Sequence, residues 1–451
     1  MKRCGVREHE DTEMEIADNA VSAPLIAGRT AARWYFVAPT LVMLVVVNQL
    51  DKTNVAVVIA DRPFLSEMAL VGRPARIGLL STIFFLGYGV GLLAWGFAVD
   101  RLGPRRSAMI GVCGWALTTL WCAVANSVNE LYLARFVLGL TEGCIWPVCN
   151  SYSGRWFPVR EHGRIQSLWV NGNQVGIALG LPIVTVLISA GGWRMVFWVL
   201  GVGSLVVLEP MLLFLAPDEP GGSPYANDEE RRYIFNHRAG QRGGAGAGGS
   251  AKLESLLTRS SFWTVALCHT GTVATLFGLA TWIPTYLTQA RGVPFEALKG
   301  WVALSYAVPI GVGLGMGYLA DRTMRPALVG AGTSAVVAAM VLASVIVSST
   351  VASVLLLVTA LAAPMIYGAM NASLMQGLAA PEQIGRATGI FVGVGNLLGG
   401  LAPTMIGYLI GTFGGRYLAA FGFVSAANAA LVILYFLIDR HSQGSGHSFA
   451  V

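Results

Sequence analysis

Long uncharged apolar runs recur along the chain, and they restrict its fold more than any other feature. The first, from Trp34 to Val47, carries no charge, and the apolar pattern resumes from Val55 to Ala60. At about 1.5 Å per residue, one helix over this segment is long enough to cross a bilayer. Only helices and closed barrels can span lipid, because lipid offers no partners to backbone polar groups. Barrel strands would alternate in short segments, so continuous runs predict an all-α membrane protein.

The composition agrees with a membrane protein and excludes several other classes. Hydrophobic residues make up 55% of the 451 residues, charged residues only 12%, and the mean hydropathy is +0.62. Soluble domains carry about 25% charged residues. The basic residues are spread over loops, which argues against nucleic-acid binding. The six cysteines show no metal-ligand spacing, and no cofactor fingerprint or nucleophile motif is present. We therefore expect no enzyme activity, no cofactor and no metal.

The apolar pattern predicts twelve transmembrane helices, so both termini should lie on the same side of the membrane. Placing the N-terminus in the cytoplasm puts 21 of the 30 lysines and arginines on the cytoplasmic side and seven on the other. Cytoplasmic loops are enriched in lysine and arginine, so we expect both termini to lie in the cytoplasm. The expected location of the protein is the inner (plasma) membrane of the cell. The polar first 33 residues contain no cleavable signal. The predicted spans are 34–60, 77–98, 107–126, 130–152, 165–190, 195–216, 262–287, 300–319, 327–348, 351–374, 387–410 and 418–438.

The longest loop, 217–261, divides the spans into two groups of six. It contains the glycine-rich run 242–250, which has the composition of a flexible linker, and we expect the loop to be poorly ordered. The predicted organisation is a cytoplasmic tail (1–33), a six-helix half (34–216), the linker (217–261), a second six-helix half (262–438) and a cytoplasmic tail (439–451).

An internal repeat supports the same division. The pattern Gly96-x-x-x-Asp100-Arg101 recurs as Gly317-x-x-x-Asp321-Arg322 at a constant offset. A second echo relates Gly172-Asn173-x-x-Gly176 to Gly395-Asn396-x-x-Gly399. Two pseudo-symmetric halves with a site between them near the midplane of the bilayer form a transporter architecture.

Four ionisable residues in the predicted spans of the first half could converge on one cavity. Asp51 and Lys52 interrupt the first span, and Arg135 and Glu142 lie seven residues apart in the fourth, on one face. A charge at membrane depth costs at least about 2.5–3.5 kcal/mol and is usually functional. The predicted spans of the second half contain no Asp, Glu, Lys or Arg. This asymmetry suggests that ion coupling resides in the first half, although Asp51 and Lys52 could also be a structural, mutually neutralised pair.

The loop from Gly96 through Asp100-Arg101-Leu-Gly103-Pro-Arg105-Arg106 resembles the most specific marker of the major facilitator superfamily. The resemblance covers residues 34–438 and extends to its anion:cation symporter family, which is implied to move organic anions with protons or sodium. Where that family commonly has Arg, this chain has Lys52, and where it often has tyrosines, this chain reads Leu276-Phe277-Gly278. The further matching stretches are Asp51-Lys-Thr-Asn54, Arg135 with Glu142 and Pro147, Trp156-Phe-Pro158, Trp282-Ile-Pro-Thr-Tyr286, Pro381-Glu-x-x-Gly385-Arg-Ala-Thr-Gly389 and Asn396-x-x-Gly399-x-x-x-Pro403.

The charged residues suggest separate roles in anion binding and in proton coupling. An anion entering a medium of low dielectric constant needs a fixed cation, and Lys52 is the leading candidate. Asp51 and Glu142 are the predicted proton-coupling sites, because a carboxyl that alternates between burial and a nearby cation can load and release a proton. Arg135 is either a second contact for the substrate carboxylate or a structural partner of Glu142.

Other residues match positions that line the cavity or form a gate in the resembled family. Asn173, Gln174 and Asn396 would bind the substrate by hydrogen bonds, or would only join helices. Trp282 and Tyr286 would be aromatic residues on the cavity side, or anchors at the membrane interface. A cytoplasmic gate is predicted at Asp100, Arg101, Arg105 and Arg106, with Asp321 and Arg322 as its weaker copy.

The leading hypothesis is a proton-coupled symporter that imports a small carboxylate or sugar acid by alternating access. A proton-driven exporter of amphipathic compounds would use the same acids but would not need Lys52. A non-transporting membrane sensor would not need buried charges at all. We expect protons rather than sodium as the coupling ion, the bilayer as surroundings, and a monomer.

Overall fold

The computed structural model of the protein is helical throughout its described part and contains no strand there. Ten helices in this part are long and apolar enough to cross a membrane. The predicted span 300–319 and the gate residues Asp321 and Arg322 lie outside the described residues. Residues 365–369 and 372–373, near the end of the predicted span 351–374, lie outside them as well. The described residues are 31–242, 256–295, 326–364, 370–371, 374–375, 378 and 384–444.

The helix bounds agree with the predicted spans to within a few residues wherever both exist. The first half consists of α1 (Arg33–Val58), the short α2 (Arg62–Glu67), α3 (Pro74–Leu102), α4 (Pro104–Val124), α5 (Val128–Trp156), α6 (His162–Gly191) and α7 (Trp193–Leu215). The connecting loop contains α8 (Asp228–Arg242). The second half contains α9 (Ser260–Gln289), α10 (Pro326–Ile346), α11 (Thr350–Ala362), α12 (Ile384–Gly399), α13 (Ala402–Thr412) and α14 (Tyr417–Gly444).

Glycines on α6 let this helix pack closely against α1. A Cβ built on Gly176 would lie 2.7 Å from the backbone oxygen of Val46, and one on Gly180 would lie 2.9 Å from Oγ1 of Thr53. Because neither position has room for a larger side chain, the two backbones approach each other directly, as is common between membrane helices. The contact fixes the height of α1, and therefore the depth of the charged residues that it carries.

The connecting loop is not poorly ordered over its first part, contrary to our prediction. α8 docks on the first half through Glu230, which is fully buried and lies 2.7 Å from Nη1 of Arg33. Arg33 also pairs with Glu161 at 2.9 Å. The backbone N–H of Ala32 donates a further hydrogen bond to Glu230, at 2.9 Å. We call this end of the bundle, where α1 begins and α8 docks, the terminal face, and the other end the opposite face.

The two halves meet tightly on the opposite face, along α3 and the α12–α13 segment. A Cβ on Gly78 would overlap the backbone oxygen of Pro403, so glycine is required there. Nearby, the hydroxyl of Thr404 donates to Oγ1 of Thr82 at 2.8 Å. Nearer the middle, the rings of Phe85 (α3) and Phe277 (α9) stack with centroids 3.5 Å apart. These contacts close the seam between the halves from the opposite face to about its middle.

Toward the terminal face the same seam loosens. Leu93 still lies 3.6 Å from a Cβ built on Gly393, but it is 46% exposed. A Cβ built on Gly96 or on Gly389 would have no neighbour within 4 Å. Along α3 and α12, the described part of the molecule is therefore closed to the opposite face and open toward the terminal face.

Candidate functional site

Four ionisable side chains from two helices come together inside the first half. α1 contributes Asp51 and Lys52, and α5 contributes Arg135 and Glu142. The charge of Arg135 acts on both carboxylates, and the charge of Lys52 acts on Glu142. Among the described residues, none of the four forms a direct ion pair. The arrangement is thus a balanced set of two acids and two bases, in which each acid is attracted by a cation without a direct ion pair and the two acids repel each other.

Glu142 is fully buried where α5 bends. The helix breaks at Gly143 and resumes at Ile145, so Glu142 ends the first segment of α5. Its Oε2 accepts a hydrogen bond from Nδ2 of Asn48 at 2.8 Å, while its Oε1 has no partner. A buried carboxylate with one oxygen held and one free is oriented, yet can still accept a proton on the free oxygen.

Asp51 is fully buried as well, one turn of α1 beyond Asn48. Its Oδ1 lies 3.3 Å from Nδ2 of Asn54, and its Oδ2 has no partner. Each acid therefore has one oxygen beside a carboxamide of α1. We did not predict a role for either asparagine, although the spacing Asn48-x-x-Asp51-x-x-Asn54 places all three on one side of a helix.

Arg135 is buried and has no hydrogen-bond acceptor in the described part of the chain. Its Nε, Nη1 and Nη2 all lack a partner, and its exposed fraction is 0%. The guanidinium carbon lies 4.6 Å from the centroid of the Phe84 ring, so a cation–π contact replaces part of its hydration. Buried donors that remain unpaired are costly, and such exceptions in a structure need a specific explanation. One such explanation is an acceptor that is present only transiently, such as a bound anion.

Lys52 is the most accessible of the four charges. Its side chain is half-buried, whereas the other three residues are fully buried. The Nζ atom lies 4.1 Å from the centroid of the Tyr88 ring. Because Tyr88 is one helical turn from Phe85, this ammonium lies just on the terminal side of the closed seam. The cation–π partners Phe84 and Tyr88 were not predicted, but their i, i+4 spacing on α3 gives them a common face.

The predicted polar residues of the cavity lie on α6 and α12. Asn173 and Gln174 are half-buried, and Asn396 is 8% exposed. The carboxamides of Asn173 and Asn396 each donate to a backbone oxygen of their own helix, at 2.9 and 2.8 Å. Both side chains are therefore held near the helix surface, with the carbonyl oxygen left for another donor.

The two predicted cavity aromatics of α9 pack within the second half instead. The indole N–H of Trp282 donates to the backbone oxygen of Pro403 at 2.9 Å. The hydroxyl of Tyr286 donates a hydrogen bond to the backbone oxygen of Ser344 at 3.1 Å, and it accepts one from Nε of Arg291 at 2.7 Å. Both rings are almost fully buried, so in this conformation they stabilise the opposite end of the second half and lie away from the charges.

The predicted gate residues lie on the terminal face, where α3 turns into α4. Asp100, Arg101 and Arg106 are exposed. Arg105 binds the end of α7: its Nε donates to the backbone oxygen of Leu212 at 3.1 Å, and its Nη2 donates to that of Leu213. Of this group, Arg105 is the member that contacts a neighbouring helix end in this open arrangement.

The described residues contain no group of His, Cys, Asp and Glu that could hold a metal ion. The four-charge site can instead hold an anion on its cations and a proton on either acid. This chemistry moves an ion without breaking a covalent bond.

Comparison with known proteins identifies the family of the chain. The family model described as the Major Facilitator Superfamily matches residues 30–403. A protein of Cupriavidus necator named a probable sulfoacetate transporter is 28% identical over 64% of this chain, which spans just under two thirds (66%) of that protein. The D-galactonate transporter of Escherichia coli is 24% identical over 92% of this chain and 97% of its own length.

Solved structures share the fold at lower sequence identity. A bacterial homologue of the human lysosomal transporter Spinster, inward-facing and unoccupied, has a TM-score of 0.72 and 18% identity and covers 94% of this chain and 98% of its own. The D-xylose–proton symporter has a TM-score of 0.69 and 14% identity, with coverages of 89% and 96%. The chain therefore belongs to the Major Facilitator Superfamily.

Proposed function

We propose that this transporter imports a small organic anion, a carboxylate or sugar acid, together with protons. The observation that carries the proposal is the pairing of an accessible cation with a buried one that has no acceptor. Lys52 is half-buried on the open side of the seam, and the guanidinium of Arg135 has three unpaired nitrogens. Together they offer a travelling carboxylate a first contact and a deeper one.

The charge balance of the site explains why protons should accompany the anion. With both acids ionised, Asp51 and Glu142 compensate Lys52 and Arg135. An added anion leaves an unpaired negative charge in a medium of low dielectric constant, which is strongly unfavourable. A proton on either carboxylate removes that charge. The site therefore favours loading at least one proton for each negative charge of the anion.

The seam between the halves supports a mechanism of alternating access. The seam is closed on the opposite face by small residues and the Phe85–Phe277 stack, and is open toward the terminal face. Rocking of one half against the other would exchange the open and the closed side around the four charges. The excess of Lys and Arg around the terminal face supports a cytoplasmic position for it, and the present arrangement would then be open to the cytoplasm.

The relatives support an anionic substrate. Two of the relatives named above are described as a probable sulfoacetate transporter and a D-galactonate transporter. A further protein, from Escherichia coli, is described as a probable galactarate/D-glucarate transporter. It is 27% identical to this chain, over 87% of this chain and 90% of its own length. All of these compounds are small anions. The Lys52–Arg135 pair suits their common feature, an acidic head group.

Uptake into proteoliposomes tests the proposal. The purified protein should accumulate at least one of D-galactonate, D-glucarate and sulfoacetate, faster when the outside is more acidic than the inside. If a proton gradient accelerates the uptake of none of them or of any other carboxylate tried, the symport proposal is wrong.

Variants of Lys52 show whether the anion uses this site. Lys52→Gln removes the charge at similar length and should raise the KM for the anion about tenfold or more, since hydrogen bonds to charged groups contribute about 1.5–3 kcal/mol. Lys52→Arg should keep most of the affinity. Arg416→Gln, which removes an exposed cation from the second half, should behave like the wild type. Unchanged anion affinity in Lys52→Gln would instead favour an exporter of amphipathic compounds.

A further inference from the structure

A histidine in the second half has no role in the proposed mechanism and an unusual environment. Both ring nitrogens of His269, on α9, are shut off from solvent and have no hydrogen-bond partner among the described residues. A neutral imidazole carries one N–H donor and one acceptor nitrogen. Leaving both nitrogens unpaired inside the protein costs free energy, which an apolar side chain at the same position would not. The position therefore calls for a partner that is absent from this conformation.

The surroundings hold the imidazole ring in place. It stacks on Phe391 of α12 with centroids 4.3 Å apart and an interplanar angle of 26°. On one edge it touches Gly395, where any Cβ would overlap its Cδ2 atom. This glycine belongs to the Gly395-Asn396-x-x-Gly399 repeat noted in the sequence, so part of that motif makes room for the ring. The ring cannot easily turn to find another partner.

The face of α9 that carries His269 looks into the seam between the halves. His269, Val273 and Phe277 follow one another at four-residue spacing and share a face of the helix. Phe277 stacks on Phe85 of the first half, and a Cβ built on Gly399 would meet Val273 at 2.8 Å. His269 thus lies on the terminal side of the Phe85–Phe277 stack, on the same side as Lys52.

The heights of Lys52 and His269 can be compared along their helices. Tyr88, the ring beneath the Lys52 ammonium, is three residues from Phe85, which is about 4.5 Å along the axis. His269 is eight residues from Phe277, or about 12 Å. Measured along the helix axes, the imidazole therefore lies about 7.5 Å further toward the open face than the cation. A six-carbon sugar acid can reach across such a step, whereas the two-carbon chain of sulfoacetate cannot.

We infer that His269 is a substrate-contact residue of the second half, which hydrogen-bonds a distal hydroxyl or carboxylate oxygen of a long sugar acid whose carboxylate lies at Lys52. It would distinguish long, hydroxylated anions from short ones. The inference rests on the proposed function and deepens it. It gives the second half, whose predicted spans contain no Asp, Glu, Lys or Arg, a defined part in selectivity.

The test compares two probes of different length in proteoliposomes. His269→Phe keeps the aromatic stack on Phe391 but has no polar atom. It should raise the KM for D-galactonate at least about tenfold and leave that for sulfoacetate within about twofold of the wild type. His269→Asn, which restores a donor and an acceptor, should recover part of the affinity for D-galactonate. His269→Leu replaces the Phe variant if the larger ring does not fit beside Gly395, as judged by gel filtration and thermal unfolding.

Three results would overturn the inference. One is a wild-type KM for D-galactonate in a folded His269→Phe or His269→Leu variant. Another is an equal loss for both probes that His269→Asn does not relieve, which would mark a structural role. The third is a wild-type protein that takes up other carboxylates but neither D-galactonate nor another long sugar acid; uptake of no carboxylate at all would mean that the proposed function itself fails. When the wild type transports D-galactonate, the first two results reject the inference alone.

Discussion

The oxygen atoms of Asp51 and Glu142 are arranged in the same way. In each acid one oxygen lies beside an asparagine of α1, and the other has no partner. The carboxamides orient the carboxylates without neutralising them, which leaves a free oxygen for a proton. Asn48 and Asn54 thus act through the acids and are positioning residues.

Removing the carboxamide of Asn48 should impair coupling more than anion binding. In Asn48→Leu, the carboxylate of Glu142 loses a charge-assisted hydrogen bond, which contributes about 1.5–3 kcal/mol. Accumulation driven by a proton gradient should fall about tenfold, while exchange of internal for external anion should continue with nearly unchanged KM. Asn171→Leu is a suitable control, since the Asn171 side chain is exposed and bonds only within its own helix turn. Equal losses of exchange and of driven accumulation in Asn48→Leu would contradict this role.

Asp51→Asn provides the matching prediction for the second acid. The variant cannot carry a proton at this position, so concentrative uptake should be lost while exchange survives. The measurement is the ratio of internal to external anion at steady state with an acidic exterior. Full concentrative uptake by Asp51→Asn would remove Asp51 from the mechanism.

Of the site, residue types and depth were predictable, whereas pairings were not. The charges inside apolar runs identified Asp51, Lys52, Arg135 and Glu142, because such residues are rare in lipid. Which asparagine holds which acid depends on how α1 and α5 are rotated about their axes, which no single-helix pattern specifies. Trp282 and Tyr286 were misplaced for the same reason: an aromatic residue on an apolar helix can face a cavity, lipid or a neighbouring helix equally well.

At the level of elements, the spans were predictable and the docked helix α8 was not. Continuous apolar runs gave helix bounds to within a few residues, since hydrophobic length is a strong signal. We predicted the loop 217–261 to be poorly ordered from its glycine-rich run alone. That prediction overlooked the signal for the start of α8 in the earlier part of the loop. There, Asn227 accepts the backbone N–H of Glu230 at 2.9 Å, which is the usual pattern of an N-terminal helix cap. A search for caps in polar loops would have found this helix.

Glu230 should hold α8 against the bundle. Its fully buried carboxylate pairs with Arg33, and removing one partner of a buried pair costs about 3–5 kcal/mol. Glu230→Ala should therefore lower the unfolding temperature in detergent and make the loop at 217–242 sensitive to limited proteolysis. Glu229→Ala alters the exposed neighbour and should do neither. Wild-type stability and protease resistance of Glu230→Ala would show that the pair does not hold the helix.

For the whole molecule, the seam sets which face is open. Gly78 has no room for a Cβ against Pro403, and the Phe85–Phe277 stack closes the middle of the bundle. The contacts that close the opposite face use small and apolar residues, and the four charges lie to one side of them in the first half. Closure and binding therefore use different residues and can be disturbed separately.

Gly78→Ala should weaken closure on the opposite face. The added methyl group collides with backbone, which cannot move aside as a flexible side chain could. A cysteine placed at the buried Ser81, in a background where Cys4 and the exposed Cys113 are serine, should become reactive to a maleimide. Gly203→Ala, where a Cβ would have no neighbour within 4 Å, is the control. Equal labelling of Ser81→Cys with and without Gly78→Ala would contradict the role of this contact.

The most direct test of the whole account is to count protons against anions in proteoliposomes that contain a trapped pH-sensitive dye. We expect the interior to acidify as D-galactonate enters, by at least one proton per molecule, and at least twice that ratio for an anion of two negative charges such as sulfoacetate. Asp51→Asn should carry fewer protons per anion. Anion entry with no proton movement, or with the same ratio of protons to anions in the wild type and in Asp51→Asn, would contradict the claim that the four charged residues bind an anion and its protons together.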